Sequence, residues 1–189
     1  MLSAKVRKQT SAAKVLSRKT SFRGKVFNVS TDKVIEPNGV TAVRDVVRHS
    51  GSVVVLAVDD TGPALRVLLE RQYRYAAQEY LWEIPAGRID GKEKPLAAAK
   101  RELREETGYT AKSWRKALFF YPSPGFVDET MTVFLARGLK PGEAEPEADE
   151  CIEYELVSLS RAVRMVMSGE IRDGKTIAAV LWFQAQRKS

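Results

Sequence analysis

Six apolar residues in succession, VVVLAV from Val53 to Val58, predict a strand buried on both faces and therefore central in a sheet. The DDTGP stretch after it reads as a turn, and Leu65–Gln72 as the hairpin partner beyond. Residues 13–48 read as short strands, with Val15, Phe22, Val26, Phe27, Val29 and Val34 as apolar positions and EPNG at 36–39 as a turn. YLWEIPAGRI predicts one strand running into a loop. Residues 114–121 and 130–137 predict further strands, with YPSPGFVDE as the loop between them, and IEYELVSL predicts a last strand. Pro95 to Thr107 predicts a helix. Proline suits its first turn, Gly108 suits the position past its end, and LAAAKRELREET consists mostly of strong helix formers. SRAVRMVMSGE predicts an amphipathic helix, and DGKTIAAVLWFQAQ another with Asp173 as its N-cap. Residues 140–150 are rich in proline and glutamate and read as a mobile loop. Strands and helices alternate in a mixed order, which points to α/β or α+β layers.

Composition adds limits rather than a function. A chain of 189 residues, 44% of them hydrophobic, suits one compact domain with a sizeable core, alone or with a small extension. The net charge of +7 is spread among acidic residues, so a nucleic-acid surface is disfavoured; binding of that kind needs a clustered basic patch. The exception is residues 1–31, with eight Lys/Arg and no Asp/Glu. Such a start fits a transit peptide, but it turns soon into strand-like alternation, so a short disordered lead is expected instead. No apolar run is long enough for a secretory signal or a membrane span. Cys151 and His49 are each alone, which excludes an intramolecular disulfide and a zinc site built on several Cys or His, and fits a reducing, cytoplasmic location. A catalytic base is then expected to be a carboxylate.

The helix over 95–107 carries the candidate chemistry. At about 100° per residue, Glu102, Glu105 and Glu106 share one arc, beside an apolar face of Leu96, Ala99 and Leu103 that can pack on a sheet. Clustered carboxylates repel, and a hard divalent cation, Mg²⁺ or Mn²⁺, offsets that repulsion while bridging to phosphate oxygens. Arg101 lies four residues before Glu105 and can pair with it. A solvated Glu/Arg face is common, and on content alone would be the preferred reading. The spacing decides otherwise. Gly87, five residues, Glu93, seven residues, then Arg101-Glu102-Leu103-Arg104-Glu105-Glu106-Thr107-Gly108-Tyr109 resembles the Nudix box at all seven positions of fixed identity; Tyr109 stands where an aliphatic residue is more usual.

The resemblance implies an α/β fold, a Nudix α/β/α sandwich around a mixed sheet with a small N-terminal β extension. It implies hydrolysis of a nucleoside diphosphate derivative by water attack on phosphorus, with Glu102, Glu105, Glu106 and the Ala86 carbonyl as ligands of Mg²⁺ (Mn²⁺ as the alternative). Glu93 and Arg101 match ion-pairing positions, and Arg101 and Glu105 count with the catalytic set. The resemblance extends to FRGKVFNVSTDKV, RDVVRHSGSVVVLA, ERQYRYA, LWEIPAG and Pro124, which look like the ADP-ribose pyrophosphatase and nucleoside-diphosphate-sugar group. By position, Arg74 matches an arginine that contacts the diphosphate or terminal ribose, and Arg44 one in the dimer-related part of the site. Glu83 is placed against substrate or a second metal, Glu129 against substrate, and Phe27 or Phe22 against adenine. The base in this group is a glutamate on a late loop, so Glu150 ranks first, with Glu147 and Glu153 behind. Residues 1–48 are expected as a dimerisation segment, 49–189 as the Nudix domain, and the assembly as a homodimer with composite sites. Nucleoside triphosphates, dinucleoside polyphosphates and capped RNA remain as other substrates, and a non-catalytic binding module as a different class.

Overall fold

The computed structural model describes residues 12–145 and 151–187; the expected lead before the first strand, Glu147 and Glu150 lie outside them. The chain divides into two compact units, Met1–His49 with Ser123–Glu129, and Ser50–Pro122 with Thr130–Ser189.

The first unit is an antiparallel sheet of β1 (Lys14–Arg23), β2 (Asn28–Ile35) and β3 (Thr41–Arg48), in that order. Alternation along β2 buries Ser30, Asp32 and Val34 on one face. Asp32 takes Arg18 at 2.7 Å from β1 and Arg48 at 2.6 Å from β3, and these charge-assisted bonds cross-link all three strands. Residues 123–129 join this unit through Val47, whose N–H donates to the Phe126 carbonyl (2.8 Å) and whose carbonyl accepts from Asp128 N–H (3.0 Å). Val15, Phe22, Val26 and Phe27 are exposed, and Val34 alone of the expected apolar positions is buried. A sheet this small has one covered face, and β1 is an edge strand with every residue exposed.

The second unit holds β4 (Ser52–Asp59), β5 (Arg66–Arg74), β6 (Glu79–Glu83), β7 (Ala86–Arg88), α1 (Pro95–Thr107), β8 (Thr110–Phe120), β9 (Met131–Lys140), β10 (Ile152–Ser158), α2 (Leu159–Ser168) and α3 (Gly174–Gln186). Its seven-stranded sheet runs β10-β5-β4-β9-β8, with β6 on β5 and β7 on β4. The β4–β9 pair is parallel and the others antiparallel, so the sheet is mixed. β4 is central as its apolar run requires. Val53, Val55 and Ala57 pack with Leu68 and with Ala98, Ala99 and Leu103 of α1 on one face. Val54, Leu56 and Val58 pack with Leu159, Ala162, Met165, Ala179, Val180 and Phe183 of α2 and α3 on the other. Each of the larger side chains contributes roughly 1.5–3 kcal/mol by leaving water. The result is an α/β/α sandwich.

Three expectations are corrected. Leu96 is exposed and Ala98 takes its place on the packed face of α1, because the buried stripe runs 98, 99, 103, 106 and 107. The predicted strand YLWEIPAGRI is two strands, since Pro85 has no N–H for a ladder; its carbonyl instead accepts from Val55 N–H at 2.7 Å. And β5 pairs with β4 only at Val58↔Val67 and Asp59↔Arg66. Beyond that the two strands diverge: Glu70–Arg74 pairs with β6, Ser52–Val54 pairs with β7, and the β6–β7 segment fills the wedge between them.

Candidate active site

The wedge brings Glu83, Ala86 and Gly87 of the second unit to the side of the acid-bearing helix. Glu83 ends β6, Ala86 and Gly87 open β7, and α1 packs beside β7 and carries the acids. The fit of helix to turn is set by Gly87. A Cβ there would overlap the Glu102 carboxylate, so only glycine lets that acid lie against the backbone. The next turn of the helix reaches the same segment, where the buried Glu106 carboxylate accepts from Ala86 N–H at 3.1 Å.

Arg101 organises the rest of the box. Its guanidinium contacts Glu93 at 3.1 Å, Glu102 at 2.8 Å and Glu105 at 3.0 Å, and donates to the Arg88 carbonyl at 3.2 Å. The 101–105 pair expected from helical spacing is therefore present, and one nitrogen, Nη1, serves both Glu102 and Glu105. Burial alone would lower its pKa, but the Glu93, Glu105 and Glu102 carboxylates outweigh it and hold the proton more tightly than usual. Among the described residues no three acids or histidines converge as a ready-made metal group. The donor set still fits a hard divalent cation. Two carboxylates already share a single cationic atom, a third lies on the same arc, and the Ala86 carbonyl belongs to the turn they face.

The second cationic element is Arg74, at the end of β5. Its Nε donates to Glu83 at 2.7 Å and its Nη2 at 2.8 Å, a bidentate pair that fixes the plane of the guanidinium. The Glu83 hydrogen bond raises the Arg74 pKa against burial, with smaller contributions from Glu70 and Glu106. Glu83 is itself fully buried. Burial pushes its carboxyl up, but the Arg74 bond and the Lys175 and Arg74 charges prevail and hold it below the usual carboxylate range. Lys175 was not singled out by its sequence, although the buried ammonium of α3 contacts Glu83 directly. No local pattern could have found it, because it meets its partner across 92 residues of chain.

The remaining predicted residues have partners of their own. In the first unit Arg44 pairs with Glu36 at 2.7 Å, Phe27 is exposed beside Phe22 with ring centroids 5.9 Å apart, and Glu129 lies 3.7 Å from His49. Glu153 stands on β10 opposite Arg71, exposed and 4.0 Å from it. Tyr109, the unusual last residue of the box, packs edge-on against Tyr154 of β10 at 6.1 Å.

The second unit is thus a mixed sheet between helical layers, with an acid-bearing helix docked on a glycine turn and the Arg74–Glu83 pair on the adjoining strands. The NUDIX domain profile matches residues 48–180, and the chain belongs to the NUDIX family. It is 41% identical over 173 residues to the ADP-ribose pyrophosphatase of Bacillus subtilis (strain 168), covering 90% of this chain and 92% of that one. It is 35% identical over 175 residues to the methanol dehydrogenase activator of Bacillus methanolicus, covering 92% and 93%. Its fold is also that of a crystal structure of an ADP compounds hydrolase, with a TM-score of 0.79 at 22% identity over 94% of this chain and 95% of that one.

Proposed function

We propose that this protein hydrolyses the pyrophosphate bond of ADP-ribose or a related nucleoside diphosphate sugar, releasing a nucleoside monophosphate and a sugar phosphate. The docking of the Glu102–Glu106 face of α1 on the Ala86–Gly87 turn, within the charge field of Arg74, carries the reading. The relation to an ADP-ribose pyrophosphatase over nine-tenths of the chain supports the substrate class. Glu102, Glu105, Glu106 and the Ala86 carbonyl would hold a divalent cation, Mg²⁺ with Mn²⁺ as the alternative, which lowers the pKa of the attacking water and neutralises phosphoryl charge. Arg101 holds Glu102 and Glu105 in place. Arg74, its plane set by Glu83, binds the diphosphate or terminal ribose. Glu150 accepts the proton of the attacking water, with Glu147 and Glu153 next in rank. Arg44, Phe27 and Glu129 contribute substrate contacts, a homodimer forms through the 1–48 strands, and the protein works in the cytoplasm. Among the described residues no helix is long and apolar enough to cross a membrane.

Purified protein with Mg²⁺ and ADP-ribose should yield AMP and ribose 5-phosphate. Glu106→Gln should lower kcat by roughly 100-fold or more, since the cation's contribution is several kcal/mol and each ~1.4 kcal/mol is tenfold. Absence of turnover across ADP-ribose and a panel of nucleotide sugars overturns the proposal; turnover of triphosphates or dinucleoside polyphosphates instead reassigns the substrate.

A further inference from the structure

The sequence Asp173-Gly174-Lys175-Thr176 opens α3, and an N-cap is all that its local pattern requires. Asp173 does cap the helix: one carboxylate oxygen accepts from Thr176 N–H at 2.9 Å and from the Thr176 hydroxyl at 2.6 Å. Two further contacts go beyond capping. The Thr176 hydroxyl, fully buried, accepts from Ile84 N–H at 2.9 Å. Lys175 holds Asp173 at 3.1 Å and reaches the Glu83 carboxylate. A buried ion pair is costly, and replacing both of its members by apolar side chains is often neutral or stabilising, so core packing alone gives no reason for a lysine–glutamate pair here.

The partners of these two side chains supply a reason. Glu83 is the group that fixes Arg74, and Ile84 lies two residues before Ala86. The segment from 83 to 86 is thereby held by α3 at Glu83 and Ile84, by β4 at the Pro85 carbonyl and by α1 at Ala86 N–H. We propose that Lys175 and Thr176 are positioning residues for the active site: Lys175 sets the Glu83 carboxylate that orients Arg74, and Thr176 sets the backbone that leads to the Ala86 carbonyl. Neither touches the reacting atoms. A displacement of about 1 Å at such a backbone can cost two orders of magnitude in rate, which makes the register of α3 a catalytic variable. This rests on the proposed pyrophosphatase reading for the roles of Arg74 and Ala86.

The two arms predict different kinetic signatures. Lys175→Met should raise KM for ADP-ribose and weaken binding of the non-hydrolysable α,β-methylene analogue, each roughly tenfold or more, with kcat changed less. Thr176→Val should lower kcat roughly tenfold or more with little change in KM, and Thr176→Ser, which keeps the hydroxyl, should restore it. Rates are referred to the folded fraction from thermal denaturation. Wild-type kinetic constants in both variants, or losses that match only the unfolded fraction, overturn the proposal. Hydrogen exchange separates it from the substrate reading: Thr176→Val should speed exchange at Ile84 and Ala86 whatever the substrate is. Unchanged protection there overturns the clamp, and a wild-type protein that neither cleaves ADP-ribose nor binds the analogue overturns the substrate reading instead.

Discussion

Charged side chains in this protein are set by partners more than by exposure. Asp59, at the end of β4, is buried and accepts from the Thr61 hydroxyl at 2.7 Å, Thr61 N–H at 3.0 Å and Arg66 Nε at 3.0 Å. The Thr61 bonds come first in holding its carboxyl below the usual range, burial opposes them, and Arg66 adds to them. The folded carboxyl therefore keeps its charge to lower pH than the unfolded one. Its stabilisation is complete above the unfolded pKa of about 3.9 and is lost as pH falls through the lower folded value. Asp59→Asn should cost about 1 kcal/mol at neutral pH, and the gap to wild type should narrow from about pH 5 to about pH 2 in urea titrations; a gap that stays constant rejects this account. Legibility at this scale follows chain distance. The Arg101–Glu105 pair could be read from a four-residue spacing, and the acids of the box from their fixed positions. Arg74 and Glu83 could be read by resemblance, but Lys175 could not, because it comes from α3 and meets Glu83 of β6 across 92 residues of chain.

At the level of elements, α1 was readable because its stop and start signals are local: Pro95 at the first turn and Gly108, with φ of 71°, at the C-cap. The three-residue β7 was not, because its pairing of Ser52–Val54 with Ala86–Arg88 arises only when β4 and β5 part. That pairing places Gly87 under Glu102. Gly87→Ala should push the Glu102 carboxylate away, lowering kcat/KM by roughly 100-fold while leaving the thermal midpoint within a few degrees of wild type. Full activity in this variant would show that the close approach is dispensable.

For the whole molecule, the sandwich follows from patterning. A strand apolar on both sides must lie between layers, and three amphipathic or apolar helices supply them. What patterning cannot reveal is that residues 123–129, between β8 and β9, belong with the N-terminal strands. The Val47 backbone and the Arg48–Asp128 pair at 3.0 Å hold them there. A chain beginning at Ser50 should therefore lose more than its first strands: proteolysis should cut within 123–129 far faster than in the full chain. Equal protection would show that the SPGFVDE segment is ordered without them.

One further contact ties sequence length to the site. Glu145 N–H donates to the Glu105 carbonyl at 2.9 Å, and Gly108 lies so close to the Gly142 backbone that neither position leaves room for a side chain. The segment leaving β9 is thus stitched to the very turn of helix that bears Glu105 and Glu106. Insertions and deletions are ordinarily cheap in connecting segments. Here the rule fails from 141 to 145: a change of even one residue there would tug on the backbone of an acidic box residue, so descendants of this gene should keep that stretch at its present length.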